Sequence, residues 1–309
     1  MIKPVSSSNV IAVVGPTAAG KSDLAVELAL ALGGEAVNAD SMQLYRGMDI
    51  GTAKLTPEEM RGVPHHLLDV WDVTRTASVA EYQELSRSVI DEVHGRGRIP
   101  VLVGGSGLYI RAALDDLEFP GTDPVVRARL EAELAAVGPA ELHARLARQD
   151  PPAAEAILAG NGRRIVRALE VIEITGRPFT ATLPKPRSLY DTVQIGLTVA
   201  RPELDARIET RVNRMWEAGF VEEVRNLRGL AEGVTAARAL GYAQVLRFLA
   251  GEWTEQQARE ETVKATRKFA RRQESWFRRD PRITWIPSTA PALPALALSL
   301  SRGVSRTER

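Results

Sequence analysis

Short apolar runs alternate with amphipathic stretches through the first third of the chain. The short runs are Val10–Val14, Glu35–Asn38 and Pro100–Val103, and helical periodicity covers Lys21–Leu32 and Val79–Arg96 between them. Short apolar runs predict buried strands, and their alternation with helices predicts βαβ units with parallel strands. The pattern therefore indicates an α/β fold in which helices flank a parallel sheet.

The pattern changes after Leu117, where strand signals almost disappear. Asp123 followed by Pro124 is typical of a helix start, because Asp caps the first turn and proline fits the first helical position. Beyond this start the chain is rich in Ala, Leu, Glu and Arg, and Gly and Pro pairs divide it into about four helices. We predict the first part of a core over residues 1–118 and an inserted all-helical domain over residues 119–186.

A strand pattern returns at Thr192–Val199, and three long helical patterns follow it. The predicted helices are Pro202–Arg228, Thr235–Ala250 and Thr254–Arg279. A last short strand is predicted at Arg282–Ile286. Residues 187–286 are therefore assigned to the second part of the core, with a basic helix near its end. Residues 287–309 mix Pro, Ala, Ser and Arg, a composition that predicts a disordered tail.

The composition excludes several classes of protein. The chain has 309 residues, 44% hydrophobic and 26% charged, as in soluble globular proteins, and its net charge of +1 indicates no partner. It has no cysteine, which excludes a thiol nucleophile, a disulfide scaffold and a Cys-ligated zinc site. No apolar stretch approaches the ~20 residues that span a bilayer, and no signal peptide is visible. We therefore expect a cytoplasmic protein with no membrane partner and, by default, a monomer.

The strongest local signal lies between the first predicted strand and the first predicted helix. The sequence Gly-Pro-Thr-Ala-Ala-Gly-Lys-Ser matches the P-loop pattern. In this setting backbone N–H groups and a helix N-terminus point at one anion, Lys21 adds a cation, and the Ser22 hydroxyl can hold Mg²⁺ as cofactor. The predicted phosphate-binding residues are Gly15, Pro16, Thr17, Ala18, Ala19, Gly20, Lys21 and Ser22.

A P-loop alone does not separate ATP from another diphosphate. An ATPase commonly holds Mg²⁺ with an Asp at the end of a second apolar strand, but Pro100–Val103 is followed by Gly104-Gly105-Ser106. We interpret this Gly-Gly-Ser as a second loop that lets backbone approach a ligand, with a simple tight turn as the alternative. Asp40, at the end of the second predicted strand, is a candidate Mg²⁺ ligand, general base or turn cap.

The predicted last helix is unusually basic, because Lys264–Arg282 contains eight basic residues and two acidic ones. Five of them recur at helical spacing and form one stripe, namely Lys264, Arg267, Lys268, Arg271 and Arg272. Such a stripe is typical of a polyphosphate partner, and a solvated surface helix is the alternative. A second basic cluster in the insertion, Arg163, Arg164 and Arg167, favours a large, structured nucleic acid.

Further motifs run collinearly from about Val10 to Ile286. They are Asp40–Tyr45, Gly47–Lys54, Pro64–Asp69, Val103–Tyr109, Arg167–Val171, Leu240–Tyr242 and Thr266–Gln273 with Trp276. Together with the P-loop they resemble the tRNA dimethylallyltransferase family, also called tRNA isopentenylpyrophosphate transferases. The resemblance implies a P-loop catalytic core that binds tRNA, in part through its helical insertion.

The resemblance also implies a reaction. The P-loop would bind the diphosphate of dimethylallyl diphosphate rather than ATP. The N6 amine of the adenine 3′ to the anticodon, tRNA position 37, would attack the allylic carbon and release diphosphate, giving N6-isopentenyladenosine. Asp40 would accept the proton of that amine, and Thr17, Lys21 and Arg211 would act on the diphosphate as the other catalytic residues.

The resemblance implies, finally, a set of tRNA-binding residues. They are Asp40, Ser41, Met42, Gln43, Ser106, Arg127, Arg163, Arg164, Ile165, Val166, Arg167, Arg238, Thr266, Arg267, Lys268, Arg271, Arg272 and Gln273. Three alternatives remain: an adenylate isopentenyltransferase acting on free AMP, ADP or ATP, a P-loop small-molecule kinase, and a non-catalytic nucleic-acid-binding protein. Labelled dimethylallyl diphosphate would distinguish the two transferases from the other classes.

Overall fold

A computed structural model of the chain describes residues 9–179 and 184–302. The chain divides into two compact units. The first unit joins Met1–Asp116 to Ser188–Arg309, and the second spans Leu117–Arg187, where the sequence predicts an insertion over residues 119–186. No helix in the described ranges is long and apolar enough to span a bilayer.

The first unit contains a six-stranded sheet in which every strand pair is parallel. The strands are β1 (Asn9–Val14), β2 (Glu35–Asn38), β3 (His65–His66), β4 (Pro100–Gly104), β5 (Asp191–Thr198) and β6 (Ile283–Pro287). Their order across the sheet is β3-β2-β4-β1-β5-β6. The predicted α/β class with a parallel sheet is confirmed, and β3 is an addition that its two-residue length hid from the pattern.

Helices flank the sheet of the first unit and form the second unit. In chain order they are α1 (Lys21–Leu32), α2 (Pro57–Met60), α3 (Val79–Gly95), α4 (Gly107–Leu114), α5 (Pro124–Gln149), α6 (Pro151–Ala156), α7 (Gly162–Thr175), α8 (Arg201–Glu217), α9 (Phe220–Asn226), α10 (Tyr242–Leu249), α11 (Glu255–Phe277) and α12 (Leu293–Arg302). Helices α5, α6 and α7 belong to the second unit and the others to the first.

Strand β1 lies at the centre of the first unit, between β4 and β5. Val13 is in register with Val103 of β4 and Ile195 of β5. A strand covered on both faces is apolar throughout rather than alternating, which explains why Val10–Val14 is one continuous apolar run and almost wholly buried. The carboxyl ends of parallel strands meet at one edge of the sheet, so the loops after β1, β2 and β4 lie together.

Two predicted helices are each interrupted by a glycine. Pro202–Arg228 is divided into α8 and α9 at Gly219, whose φ of 92° is left-handed. The pattern over Thr235–Ala250 contains a short 3₁₀ turn and then α10, with Gly241 between them at a φ of 87°. Glycine adopts positive φ without the steric cost that other residues meet. The continuous apolar pattern across both glycines led to the wrong prediction of unbroken helices.

The prediction of a disordered tail over residues 287–309 is wrong for the part that the structure describes. Leu293–Arg302 forms α12, and Ala297 is fully buried in the core cluster that also contains Ala25 and Ala29 of α1. Pro294 lies in the first turn, where proline is compatible with a helix. Residues 303–309 lie outside the described residues.

The second unit has its own apolar core. Asp123 caps α5, since its carboxylate accepts hydrogen bonds from the backbone N–H groups of Val125 and Val126; this predicted helix start is confirmed. Gly138 leaves helical geometry at φ 81° and ψ 169° and divides α5 into two segments. Buried side chains from all three helices form the core, including Leu130, Leu142, Ala153, Ile165 and Leu169.

Candidate active site

The loops after β1, β2 and β4 border a cavity of about 300 Å³ in the first unit. Three of the predicted catalytic residues, Thr17, Asp40 and Arg211, line it. Residues predicted for tRNA binding also line it, namely Ser41, Met42, Ser106, Arg238, Thr266 and Arg272. Residues from six separate parts of the sequence therefore meet around one space.

The P-loop begins at the end of β1 and leads into α1. Gly15 has a φ of 134°, and a Cβ there would lie 2.9 Å from the carbonyl oxygen of Leu197, so only glycine fits beside β5. Lys21 Nζ donates a 2.8 Å hydrogen bond to the carbonyl of Pro16 and so lies over the loop. The pKa of Lys21 is lowered to about 8, because burial and, to a smaller extent, the charge of Arg211 lower it by more than the charge of Asp40 raises it.

Asp40 both caps a turn and faces the cavity. Its Oδ1 accepts a 2.9 Å hydrogen bond from the backbone N–H of Met42. Asn38 fixes the same segment, because its Oδ1 accepts from the N–H of Asp40 at 2.9 Å while its Nδ2 donates to the carbonyls of Asp40 and Leu67. The turn-cap alternative therefore holds for Oδ1 of Asp40, and the same residue lines the cavity.

Arg211 projects from α8 to the same cavity. Its Nη2 donates a 3.2 Å hydrogen bond to the carbonyl of Thr52. Burial lowers the pKa of Arg211 from its usual value, and the negative charge of Asp40 raises it. Within the described ranges this guanidinium has no ion pair. A desolvated cation beside a cavity favours an anionic ligand.

The glycines after β4 make room for protein rather than for a ligand. A Cβ on Gly105 would lie 2.1 Å from Gln273 Nε2, and one on Gly107 would lie 2.0 Å from the ring of Trp276. Both of these side chains come from α11. The interpretation of Gly104-Gly105-Ser106 as a loop that lets backbone approach a ligand is therefore corrected for its two glycines, because Ala39 and α11 occupy the space beside them. Ser106 of the same segment lines the cavity.

We expect Gly104→Ala to lower the free energy of unfolding by about 1–3 kcal/mol, the usual cost of overpacking. A Cβ there would lie 2.3 Å from the carbonyl oxygen of Ala39, a backbone atom that cannot rotate away. Gly95→Ala is the matched control in the same unit, since no atom lies within 4 Å of its added Cβ. Urea denaturation of both variants checks the prediction, and equal midpoints would contradict it.

Gln273 links α11 to two of the loops at the cavity. Its Oε1 accepts a 2.9 Å hydrogen bond from the backbone N–H of Thr17, and its Nε2 donates to the carbonyl of Gly105 at 2.9 Å. The side chain is 5% exposed. Gln273 was predicted to contact tRNA, but the structure places it inside the protein, where it holds the P-loop and the loop after β4 together.

The basic stripe on α11 divides into paired and unpaired positions. Lys264 forms an ion pair with Glu261, and Arg267 pairs with Glu209. Lys268 and Arg271 are exposed and, in the part of the chain that the structure describes, form no ion pair. Arg272 lies 5.8 Å from the ring centroid of Phe269. A shallow surface pocket is lined by Arg271, Arg272, Ser275, Trp276 and Arg279.

In the second unit, two of the predicted tRNA-binding residues converge on the fully buried carboxylate of Glu170. Arg127 and Arg167 both pair with it, and Arg167 also donates to backbone carbonyls. Ile165 and Val166 are buried in the core of the unit. Their predicted tRNA contact is therefore corrected, because their side chains pack between helices. The exposed side chains of this segment belong to Arg163 and Arg164.

Comparisons with known proteins show the family of the chain. The profile of the family described as IPP transferase matches residues 43–280, more than half of the chain. The chain belongs to the IPP transferase family. The predicted resemblance is thereby confirmed.

The tRNA dimethylallyltransferase of Thermobifida fusca is 72% identical over 300 residues, covering 95% of this chain and 94% of that protein. That of Streptomyces avermitilis is 72% identical over 296 residues, covering 94% and 95%.

Solved structures of IPP transferases share the fold. The full-length tRNA isopentenylpyrophosphate transferase of Bacillus halodurans is 40% identical, with a TM-score of 0.70, and the match covers 97% of this chain and 96% of that one. A eukaryotic dimethylallyltransferase acting on tRNA is 25% identical, with a TM-score of 0.83 over 98% of this chain and 81% of that one.

Part of the cavity wall was missed by sequence reasoning. Gly51 and Thr52 line the cavity beside Arg211, and Val212 and Met215 of α8 add an apolar wall. The segment Gly47–Lys54 enters the prediction only as a motif of the family resemblance. The sequence of this segment is rich in glycine and small polar residues and has no helix or strand periodicity. Such a pattern is typical of functional loops and could have indicated its place at the cavity.

Proposed function

We propose that this IPP transferase moves the dimethylallyl group from dimethylallyl diphosphate to N6 of adenine 37 in tRNA, giving N6-isopentenyladenosine and diphosphate. The observation that carries the proposal is the cavity in which Asp40, Arg211 and the P-loop residue Thr17 meet. The printed names of close relatives, tRNA dimethylallyltransferases at 72% identity, support the same activity.

The diphosphate binds at the P-loop in this proposal. The backbone N–H groups from Gly15 to Ser22, together with Lys21 and Arg211, stabilise the negative charge that grows as the allylic C–O bond breaks. The hydroxyl of Thr17 donates a hydrogen bond to the same diphosphate. Donors that are already in place cost no reorganisation during the reaction, which makes this stabilisation a large contribution to catalysis.

A magnesium ion fits the same site. Within the described ranges no three His, Asp or Glu side chains are grouped so that they could hold a metal, but Mg²⁺ commonly uses one or two protein ligands, several waters and substrate phosphates. Ser22, at the start of α1, would supply such a ligand. When bound, the ion would add positive charge to the departing diphosphate.

The target adenine of the tRNA enters the cavity in this proposal. Its base leaves the stack of the anticodon loop, as RNA bases do when an enzyme modifies them. Asp40 then accepts the N6 proton as the C–N bond forms. Val212, Met215, Leu240 and Phe269 line the cavity with apolar surface, against which the dimethylallyl chain packs.

Transfer of label from radioactive dimethylallyl diphosphate tests the proposal. We expect label in unmodified tRNA in the presence of Mg²⁺, and none in AMP. Label entering AMP alone would assign the chain to the free-nucleotide transferases. Consumption of ATP without any prenyl transfer would favour a kinase and refute the proposed donor.

The unpaired cations of α11 predict how tRNA binding responds to salt. We expect Lys268→Ala with Arg271→Ala to weaken tRNA binding and to reduce the slope of log K against log[salt] by roughly 1–2 units, since each lost phosphate contact removes about one released counterion. Lys264→Ala is the control, because Lys264 already pairs with Glu261. Filter binding between 50 and 200 mM salt, roughly the range over which such slopes are resolved, checks the result. An unchanged slope in the double variant would mean that the stripe is a solvated face.

The lowered pKa of Lys21 predicts a pH dependence. The ammonium is present below its pKa of about 8 and is lost above it, so kcat/KM for dimethylallyl diphosphate should fall as pH rises through that value. Lys21→Arg keeps its charge over this range, and its profile should not show the fall. The measurement is kcat/KM between about pH 7 and 9, roughly 1 unit either side of that pKa. The same alkaline fall in both proteins would assign the titration to another group.

A further inference from the structure

One carboxylate, that of Glu223 on α9, holds an entire loop beside the cavity. Its Oε2 accepts hydrogen bonds from the backbone N–H groups of Asp49 at 3.0 Å and Ile50 at 2.6 Å. Its Oε1 accepts from the N–H of Gly51 at 3.2 Å and from the hydroxyl of Tyr242 at 2.5 Å. Four donors on one carboxylate fix both its position and that of the three consecutive peptide groups.

The loop is seated directly on the aromatic side chains behind it. A Cβ on Gly51 would lie 2.2 Å from the ring of Phe220 and 2.5 Å from that of Tyr242. These two rings pack edge to face, with their centroids 5.0 Å apart. Burial raises the pKa of the Tyr242 hydroxyl, and the Glu223 carboxylate raises it further, so Tyr242 remains a donor. The contact therefore leaves the loop little freedom to shift.

Thr52, the last residue of the loop Asp49–Thr52, orients Arg211. The carbonyl of Thr52 accepts the 3.2 Å hydrogen bond from Arg211 Nη2, and the Thr52 hydroxyl is tied to the carbonyl of Met48 at 2.6 Å. Among the described residues, Thr52 is the hydrogen-bond partner of the Arg211 guanidinium. The orientation of the Arg211 guanidinium thus depends on the carbonyl of Thr52. Glu223 anchors the neighbouring residue, Gly51, through its backbone N–H.

We propose that Glu223 is a positioning residue for prenyl transfer, which acts on the diphosphate through the loop Asp49–Thr52 and Arg211. This inference rests on the proposed function. Glu223 itself is not among the residues that line the cavity, so its contribution is geometric. A displacement of about 1 Å in a catalytic group can cost a factor of about 100 in rate, so an anchor of this kind can affect turnover strongly.

Glu223→Gln is the first test, because glutamine keeps the shape but replaces one acceptor oxygen by an NH₂ that faces donors. We expect kcat to fall by roughly 10- to 100-fold while the dissociation constant for tRNA stays within about threefold. Glu222→Gln is the matched control on the same helix, since Glu222 is exposed and pairs with Arg225. It should retain wild-type turnover. Tyr242→Phe removes one of the four donors to Glu223. It should also lower kcat, but by a smaller factor than Glu223→Gln.

A double-mutant cycle separates positioning from general stability. If Glu223 acts through Arg211, then Glu223→Gln in an Arg211→Ala background should lower kcat by less than about threefold, because the group that it orients is gone. All rates are measured well below the midpoint of thermal unfolding of each variant. A full, additive loss in that background, or an unchanged kcat for Glu223→Gln alone, would overturn the inference and leave the proposed function intact. Absence of transfer by the wild type would overturn both.

Discussion

Replacing Asp40 by asparagine is expected to lower turnover by roughly 10²- to 10⁴-fold, the usual contribution of a general base. Asparagine retains an Oδ1 acceptor for the N–H of Met42, so the turn that shapes this loop should persist. What is lost is the carboxylate that, in the proposed reaction, takes the N6 proton. Single-turnover transfer of labelled dimethylallyl to tRNA measures the chemical step directly.

Two further observations make the Asp40 result specific. The dissociation constant for tRNA should stay within a few fold of the wild type, because the substitution leaves the cations of α11 in place. The carboxylate also raises the pKa of Lys21. Its removal should therefore move the alkaline fall of kcat/KM to lower pH. Unchanged turnover in the asparagine variant would remove Asp40 from catalysis.

Arg211→Ala should have the next largest effect, a loss of roughly 10²- to 10³-fold in kcat, as for other groups that stabilise developing negative charge. The guanidinium lies at the cavity without an ion pair among the described residues, held by the carbonyl of Thr52. Its positive charge is therefore available to an anionic ligand, which is the diphosphate in the proposed reaction. Arg211→Lys keeps the charge but not the planar group, so partial activity is expected from it.

The control for Arg211 is an arginine on the same helix. Arg207 pairs with Glu203 at 2.5 Å and bonds to Ser288, so Arg207→Ala tests the loss of a paired arginine from α8. It should leave kcat nearly unchanged. An Arg211→Ala enzyme with wild-type kcat and only a raised KM would mean that the arginine binds the donor equally in ground and transition states.

The sheet and the P-loop could be predicted because their signals are local. A central strand buried on both faces reads as a continuous apolar run, as in Val10–Val14, and the phosphate loop is encoded by eight consecutive residues, Gly15–Ser22. Asp40 followed from the same logic, since it lies two residues after the end of β2, at the edge where strands end. The Arg211 role came instead from the family resemblance.

The contacts that complete the site could not be predicted because they join distant parts of the chain. The bond of Gln273 to Thr17 spans 256 positions, and that of Arg211 to Thr52 spans 159. No periodicity within a helix indicates which residue its side chain will meet on another element. The helix α12 was missed for a related reason. Its apolar residues resemble a low-complexity tail until the core cluster that buries Ala297 is known.

The buried position of Gln273 affects how an alanine scan of α11 should be interpreted. Exposed positions such as Lys268 and Arg271 can report on RNA contact alone. Gln273→Ala would instead release the P-loop N–H of Thr17 and the carbonyl of Gly105 together. Weakened RNA binding in that variant would therefore not identify Gln273 as a contact. Affinity for the prenyl donor has to be measured in parallel before any position on this helix is assigned to the RNA footprint.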